Sequence, residues 1–476
     1  MKYTSTRSNI EISASRAILD GLSSDGGLYV PTTLPNLSID DCYHLTYQEL
    51  AIKILSLFFD EFSSESIVDS VSKAYNFDNF NHPSITGLRK FNDNKYFLEL
   101  FYGKTSAFKD QALSIYPYLL KLAMQKHDIE HLTILAATSG DTGKAAMEAL
   151  SNVDGLSIAV LYPEYGTSKI QKQQMQTQVG DNVLALAIEG NFDDAQRAVK
   201  DFFLKHETLN ISSANSINIA RLLPQVIYYY DLFVRLDPKK KVDIYVPTGN
   251  FGNILAAYIA KSMGLPINRL IVCTNENNVL YKFFTTGIYD INEQTFKVTS
   301  SPSMDILISS NLERLLYFMF NDKDKINTWM KSLNEHKRFE LSSRELKQLQ
   351  EVFGTQMASD ANTFKGIKDV FASSGILVDP HTATAIPQDP NNDNIQVIVS
   401  TASPYKFPTI YKDLFDLKTD DPYQILSEIE LRSQEPYPDT IRILNTLDLR
   451  FKDVVAKKDV ESTLLDYIKK EQSYEV

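Results

Sequence analysis

The sequence predicts an α/β protein built on a mostly parallel, doubly wound sheet with helices on both faces. Three observations carry this expectation. From about residue 95 onward, short β-branched or aliphatic runs alternate with helix-periodic segments, as repeated strand–helix–strand units do. The runs Ile134–Ala137 and Ile158–Leu161 are apolar without alternation, which suits strands covered on both faces. A chain of 476 residues with 43% hydrophobic content can bury large cores and is too long for a single one, so two or three domains are expected.

Residues 1–92 read as a mostly helical domain. Leu45, Leu50, Ile52, Ile54, Leu55, Leu57, Phe58 and Phe59 form a dense apolar stretch, and Ser63, Ser64 and Glu65 open a further helix toward Tyr75, hydroxyl side chains being good helix N-caps. Residues 93–420 form the α/β core. Strands are expected at Tyr96–Phe101, Leu132–Ala137, Leu156–Tyr162, Val183–Ile188, Val242–Val246, Leu270–Cys273 and Ile395–Val399. Helices are expected at Thr142–Leu150, Ser168–Gln178, Phe192–His206, Ile217–Val234 and Asn253–Met263, with more helical, charge-rich sequence over 305–375. Residues 421–476 read as a C-terminal extension: connectors at Thr419-Asp420-Asp421-Pro422 and Glu435-Pro436-Tyr437-Pro438, then a charged terminal helix.

The formal net charge of −12 argues against nucleic acid or an anionic membrane as the main partner. Cys42 and Cys273 are the only cysteines, too few for a disulfide framework or a zinc ligand set, so no metal is expected. No run approaches the roughly 18 apolar residues of a membrane helix, and the first residues contain no apolar targeting segment. The expected compartment is the cytoplasm.

Four segments carry chemistry. Gly103-Lys104-Thr105-Ser106-Ala107-Phe108-Lys109-Asp110 joins a strand to a helix. A lysine desolvated at such a turn has a lowered pKa and a free amine, suited to attack an aldehyde cofactor or a carbonyl substrate; a solvated surface lysine is the simpler reading of that octapeptide alone. Thr138-Ser139-Gly140-Asp141-Thr142-Gly143 follows a strand and opens a helix. Its N–H groups and hydroxyls could bind an anion, though a well-capped turn with Asp141 as N-cap is the simpler reading of it alone. Gly249-Asn250-Phe251-Gly252-Asn253 again lies between strand and helix. It could fold into a nest of N–H donors around one phosphate, or simply allow tight helix–sheet packing. It matches neither a Walker A loop nor G-x-G-x-x-G. Ser400-Thr401-Ala402-Ser403 ends a strand, where open α/β sheets bind ligands; a polar closing turn is the alternative.

In this order, the four segments resemble the fold type II pyridoxal phosphate enzymes. The wording of Phe108-Lys109-Asp110, Thr138–Gly143, Gly249–Asn253 and Ser400-Thr401-Ala402 is similar to the long, bacterial and fungal type of threonine synthase. So are Ser5-Thr6-Arg7, Asp25-Gly26-Gly27-Leu28, Gly180-Asp181-Asn182-Val183, Glu189-Gly190-Asn191-Phe192-Asp193-Asp194, Asn215-Ser216-Ile217-Asn218 with Arg221, and Met304-Asp305-Ile306-Leu307. The resemblance runs from residue 3 to at least 408.

The resemblance implies two doubly wound subdomains with the cofactor between them, the smaller one, about 111–200, being mobile. It implies conversion of O-phospho-L-homoserine and water to L-threonine and phosphate, with Lys109 holding pyridoxal phosphate and moving protons. Gly249, Asn250, Phe251, Gly252 and Asn253 would hold the cofactor phosphate, and Thr401 would meet the pyridine nitrogen. Ser139, Gly140, Asp141 and Thr142 would bind the substrate carboxylate. Lys104, Asn218, Arg221 and Lys406 are the candidates for the substrate phosphate. The chain departs from the family at three places: Lys104 stands for a proline, Lys144 for a small residue, and Ser403 and Tyr405 for a histidine and an alanine. A phospho-lyase that releases a 2-oxoacid, or a non-catalytic ligand-binding relative, would share much of this pattern. The expected assembly is a monomer or a homodimer.

Overall fold

The structure, a computed structural model, describes residues 1–472 apart from 166, 207, 293, 390 and 391. Two sheets organise the α/β core. The larger has six strands in the order Phe353–Met357, Ile267–Thr274, Val242–Pro247, Ile395–Ser400, Lys95–Glu99, Gly87–Asn92. All neighbours run parallel except the last pair, a hairpin. The smaller has five parallel strands in the order Val454–Val455, Val183–Ile188, Leu156–Pro163, Leu132–Ala137, Ile211–Ser213. Leu132–Ala137 and Leu156–Pro163 are buried along their whole length, in keeping with their unbroken hydrophobicity.

The smaller sheet draws strands from outside 111–200. Ile211–Ser213 closes one edge and Val454–Val455 the other. The terminal helix Val460–Gln472 packs Leu464 and Ile468 into the core beside Val199 and Phe202. The Tyr467 hydroxyl donates to Asn182 O at 2.6 Å, so the C-terminal segment is sewn onto the smaller sheet.

Three helices of the N-terminal region, Ala14–Asp20, Tyr47–Phe58 and Ser64–Ala74, accompany a small antiparallel sheet of Glu11–Ile12, Tyr3–Ser5 and Tyr29–Pro31. The second helix begins with a capping box between Thr46 and Glu49, which satisfies two otherwise orphaned N–H groups. The buried Arg314 binds this region to the core, donating to Tyr29 O at 3.0 Å and to Ser216 O at 3.2 Å.

The expected helix 217–234 is three pieces: Ile219–Leu222, a 3-10 turn at Leu223–Gln225 and Val226–Leu236. Pro224 is the cause, since it has no N–H for the helical ladder. Among the described residues no helix is long and apolar enough to cross a membrane, and Cys42 and Cys273 are both free and buried.

Candidate active site

Lys109 opens the helix Lys109–Leu113. The turn before it is built around Asp110, whose carboxylate accepts from Thr105 N at 2.9 Å and Thr105 Oγ1 at 2.7 Å. Gly103 is required there, because a Cβ would lie 2.4 Å from that of Asp110. Ser106 takes a left-handed φ of 59°, a conformation costly for a non-glycine residue. The turn is stitched to the late hydroxyl segment: Phe108 N donates to Thr401 O at 2.8 Å and Ser403 N to Ser106 O at 2.9 Å.

The Lys109 Nζ sits 4.4 Å from the Phe108 ring centroid. Among the described residues it makes no hydrogen bond or ion pair, although part of the side chain faces the cleft. Burial first, and the neighbouring Arg221 charge second, lower its pKa to about 8, against a smaller opposing effect of Asp141. An amine in this state is neutral in roughly a fifth of the molecules near physiological pH, far more than an ordinary lysine.

The second wall is the turn after Val242–Pro247. Phe251 is the N-cap of Gly252–Ser262 with a left-handed φ of 64°, and its ring stacks on Phe284 at 5.7 Å. Leu255 N to Phe251 O, 3.1 Å, is the first backbone bond of that helix, so the preceding amides are left to bind something else. A Cβ on Gly249 would lie 3.2 Å from Ser303 O and 3.0 Å from Ile306 Cδ1, so any other residue would push the two loops apart by a few tenths of an ångström. Asn250 O is pinned by Asn311 N at 3.1 Å, and Gly249 O by Ser309 Oγ at 2.6 Å.

The third wall is the turn after Leu132–Ala137. Thr138 Oγ1 accepts from Gly140 N at 2.9 Å and from Gly143 N at 3.0 Å. Gly140 has φ 150°, and a Cβ there would meet Gln171 at 2.8 Å. Asp141 is buried, with Lys406 Nζ 2.6 Å from its Oδ1 and Gln171 Nε2 donating to the same oxygen at 2.8 Å. Burial alone would raise its pKa, but the charge and hydrogen bond of Lys406 prevail and lower it.

Lys109, Asp141, Arg221, Gly249, Asn250, Phe251, Gly252, Asn253 and Thr401 line one cavity; Ser139, Gly140 and Thr142 belong to the same turn as Asp141. The four phosphate candidates separate sharply. Arg221 lines the cavity and is buried; it donates to Ala214 O, while its Nε has no partner among the described residues. Burial lowers its pKa to about 10. Asn218, expected among the phosphate ligands, instead caps the helix Ile219–Leu222 through Oδ1 and donates from Nδ2 to Ile18 O at 2.8 Å. Lys406, expected there too, is fully buried against Asp141 and donates to Thr105 O at 2.9 Å. Lys104 is exposed outside the cavity lining, where its charge is felt by Glu148.

The departures from the family pattern have local explanations. Lys144 is paired with Glu148 at 2.9 Å. Ser403 caps a short 3-10 turn, and the Tyr405 hydroxyl donates to Glu435 O in the C-terminal segment. Sequence reasoning missed His381, Ser303 and Met304, which also line the cavity. Asp379-Pro380 has the form of a helix start with proline in its first turn, but nothing local pairs His381 with a residue 78 positions away.

The donor set fits a phosphorylated aldehyde cofactor. An unpaired amine, amides without helical partners at a helix start, a glycine cradle and two buried donors without partners, Arg221 Nε and Asn253 Nδ2, converge on one cavity.

Comparison with known proteins agrees. Residues 2–75 match the family described as threonine synthase N terminus, and residues 86–387 the family of pyridoxal-phosphate dependent enzymes. The chain is 34% identical to threonine synthase of Eremothecium gossypii over 98% of this chain and 96% of that one. It is 38% identical to threonine synthase of Pseudomonas aeruginosa over 86% and 89%. The crystal structure of a threonine synthase from Brucella melitensis with pyridoxal phosphate bound superimposes with a TM-score of 0.88 at 34% identity, covering 98% of this chain and 100% of that one. With residues 2–75 and 86–387 matched and relatives of 34–38% identity covering most of the chain, the chain belongs to the threonine synthase family, enzymes of fold type II that depend on pyridoxal phosphate.

Proposed function

We propose that this enzyme converts O-phospho-L-homoserine and water to L-threonine and phosphate. The observation that carries the reading is Lys109: an unpaired amine with its pKa lowered to about 8, in one cavity with Arg221, Thr401 and the glycine turn.

Bound pyridoxal phosphate supplies an electron sink that acidifies the substrate next to its amino group. The residues of the chain do the rest. The amides of Gly249–Asn253, at the positive end of a helix, hold the cofactor phosphate. Thr401, which lines the cavity, would face the pyridine nitrogen with a hydroxyl and not with a carboxylate. Lys109 would hold the cofactor through its amine and, as the strong base lining the cavity, would move protons at Cα and Cβ of the substrate. The turn Ser139–Thr142 binds the substrate carboxylate through N–H groups and hydroxyls, since Asp141 is itself neutralised by Lys406. Arg221 meets the leaving phosphate, the partner its buried Nε lacks. Closure of the smaller subdomain keeps water from the intermediates until the phosphate has left.

All these residues come from one chain, so a monomer suffices, alone or within a homodimer. Two free, buried thiols suit a reducing, cytoplasmic setting. The test is to measure phosphate and threonine from O-phospho-L-homoserine in the same sample. Equal amounts support the reading. Phosphate with 2-oxobutyrate and ammonia, and no threonine, overturns it in favour of a phospho-lyase.

A further inference from the structure

His381 and Asp379 form a buried dyad on the cavity wall. His381 is 3% exposed and Asp379 0%. The His381 Nδ1 lies 2.9 Å from Asp379 Oδ1, and Ser303 N lies 3.1 Å from His381 Nε2. A backbone N–H can only donate, so Nε2 must present its lone pair to Ser303. The ring proton therefore sits on Nδ1 and is donated to Asp379. The contacts fix the tautomer without ambiguity.

The chain of hydrogen bonds continues in both directions. Asp379 accepts from Thr382 Oγ1 through its other oxygen, and Thr382 Oγ1 accepts from Thr401 N at 3.3 Å. At the far end, Ser303 belongs to the loop that packs on the glycine turn, its carbonyl oxygen 3.2 Å from where a Cβ of Gly249 would be. The path runs from Thr401 through Thr382, Asp379 and His381 to Ser303. Thr401 and Gly249 are the residues proposed for the two ends of the cofactor, ring nitrogen and phosphate.

We propose that His381, fixed by Asp379, is a positioning residue that sets the distance between the ring end and the phosphate end of the cofactor site. A histidine that merely fills the core would need neither partner, and the edge-on contact with Phe407 at 4.9 Å would serve it alone. Here every polar atom of the ring is committed, one to each wall. Loss of the Nε2 acceptor leaves the partly buried Ser303 N–H without its partner and frees the loop that packs on Gly249.

Two conservative substitutions separate the halves of this connection. His381→Gln keeps an acceptor near the Nε2 position; His381→Asn keeps a donor near the Nδ1 position and loses Ser303. His381→Phe keeps bulk and loses both. Full-length variants are equilibrated with graded pyridoxal phosphate, and bound cofactor is read from its absorbance band. Thermal unfolding is followed with and without cofactor.

Cofactor affinity is expected to fall about tenfold in His381→Asn and His381→Phe, as when a partly buried donor loses its acceptor, and to stay within about threefold of the parent in His381→Gln. The rise in unfolding temperature on adding cofactor should shrink in the first two variants. Equal weakening in all three, Gln included, overturns the proposal, because bulk or fold integrity would then explain the loss. Unchanged affinity in all three overturns it too, as does an Asn variant that binds better than the Gln variant. Should His381→Phe fail to fold, the Gln and Asn pair still decides.

Discussion

Lys406 Nζ lies 2.6 Å from Asp141 Oδ1, joining a turn at the end of one sheet to a turn at the end of the other, with both side chains buried. Asp141 begins the helix after a strand of the smaller sheet, and Lys406 follows a strand of the larger one. The pair holds the anion turn against the segment that carries Thr401, and it makes Lys406 part of the frame of the site. Removing one partner of a buried ion pair leaves an uncompensated charge, at a cost of about 3–5 kcal/mol. Lys406→Met should therefore lower stability toward denaturant by about that amount and raise KM for the substrate. The double variant Lys406→Met with Asp141→Asn should recover most of the stability and little of the activity. Denaturant titration and steady-state kinetics of the three proteins check this.

Lys109 sets a pH dependence. Its pKa in the cofactor-free fold is about 8, below the roughly 10.4 of an unfolded lysine. Between these values the unfolded chain binds more protons than the folded one, so Lys109 makes cofactor-free protein more stable as pH rises through this window. Below about 8 the full penalty of burying the charge applies. Capture of pyridoxal phosphate by the cofactor-free protein should accelerate with pH and level off above about 8, as the amine becomes neutral. Stopped-flow absorbance measures the capture. Urea titrations at pH 7.5 and pH 9.5, about the two sides of the midpoint, compared between the parent and Lys109→Met, isolate the contribution of this residue to stability.

Lys109→Ala removes nucleophile and base together. Turnover should fall by several powers of ten, while the variant retains pyridoxal phosphate non-covalently through the glycine turn. Rate assays and equilibrium dialysis on the same preparation give both quantities. Loss of rate without any change in how the cofactor is held would contradict the role assigned to Lys109.

Arg221 and Lys104 should behave in opposite ways. Arg221→Gln removes a buried cation from the cavity and should raise KM about tenfold or more. Lys104→Ala alters an exposed side chain and should change KM by less than about twofold. A large effect at Lys104 would mean that closure of the smaller subdomain carries it to the substrate phosphate. Structures with and without a substrate analogue would then differ in the distance between Lys104 and the cavity.

What the sequence made legible was local. Leu132–Ala137 and Val183–Ile188 have the bounds their apolar runs suggested, because a strand buried on both faces writes its length directly into composition. That Lys109 and the glycine turn stand at helix starts could be read because strand ends and helix starts are marked by adjacent residues. Other elements lacked such a mark. Phe353–Met357 is an edge strand of mixed polarity, Ile211–Ser213 is three residues long, and Val454–Val455 is two. The roles of Lys406 and Asn218 were missed for a different reason: both are fixed by partners remote in the chain, Asp141 for one and Ile18 for the other. A lysine near a ligand turn carries no local sign of whether its charge meets a ligand or a carboxylate of the protein. His381 is the same case, a histidine whose meaning comes from Ser303.

The attachment of the cofactor to Lys109 can be tested by reducing the native enzyme with borohydride, digesting it and mapping the modified peptide by mass spectrometry. The result expected is one pyridoxyl phosphate group per chain, on the peptide that contains Lys109. The same group on another lysine, or on none, would contradict the assignment on which the proposed chemistry rests.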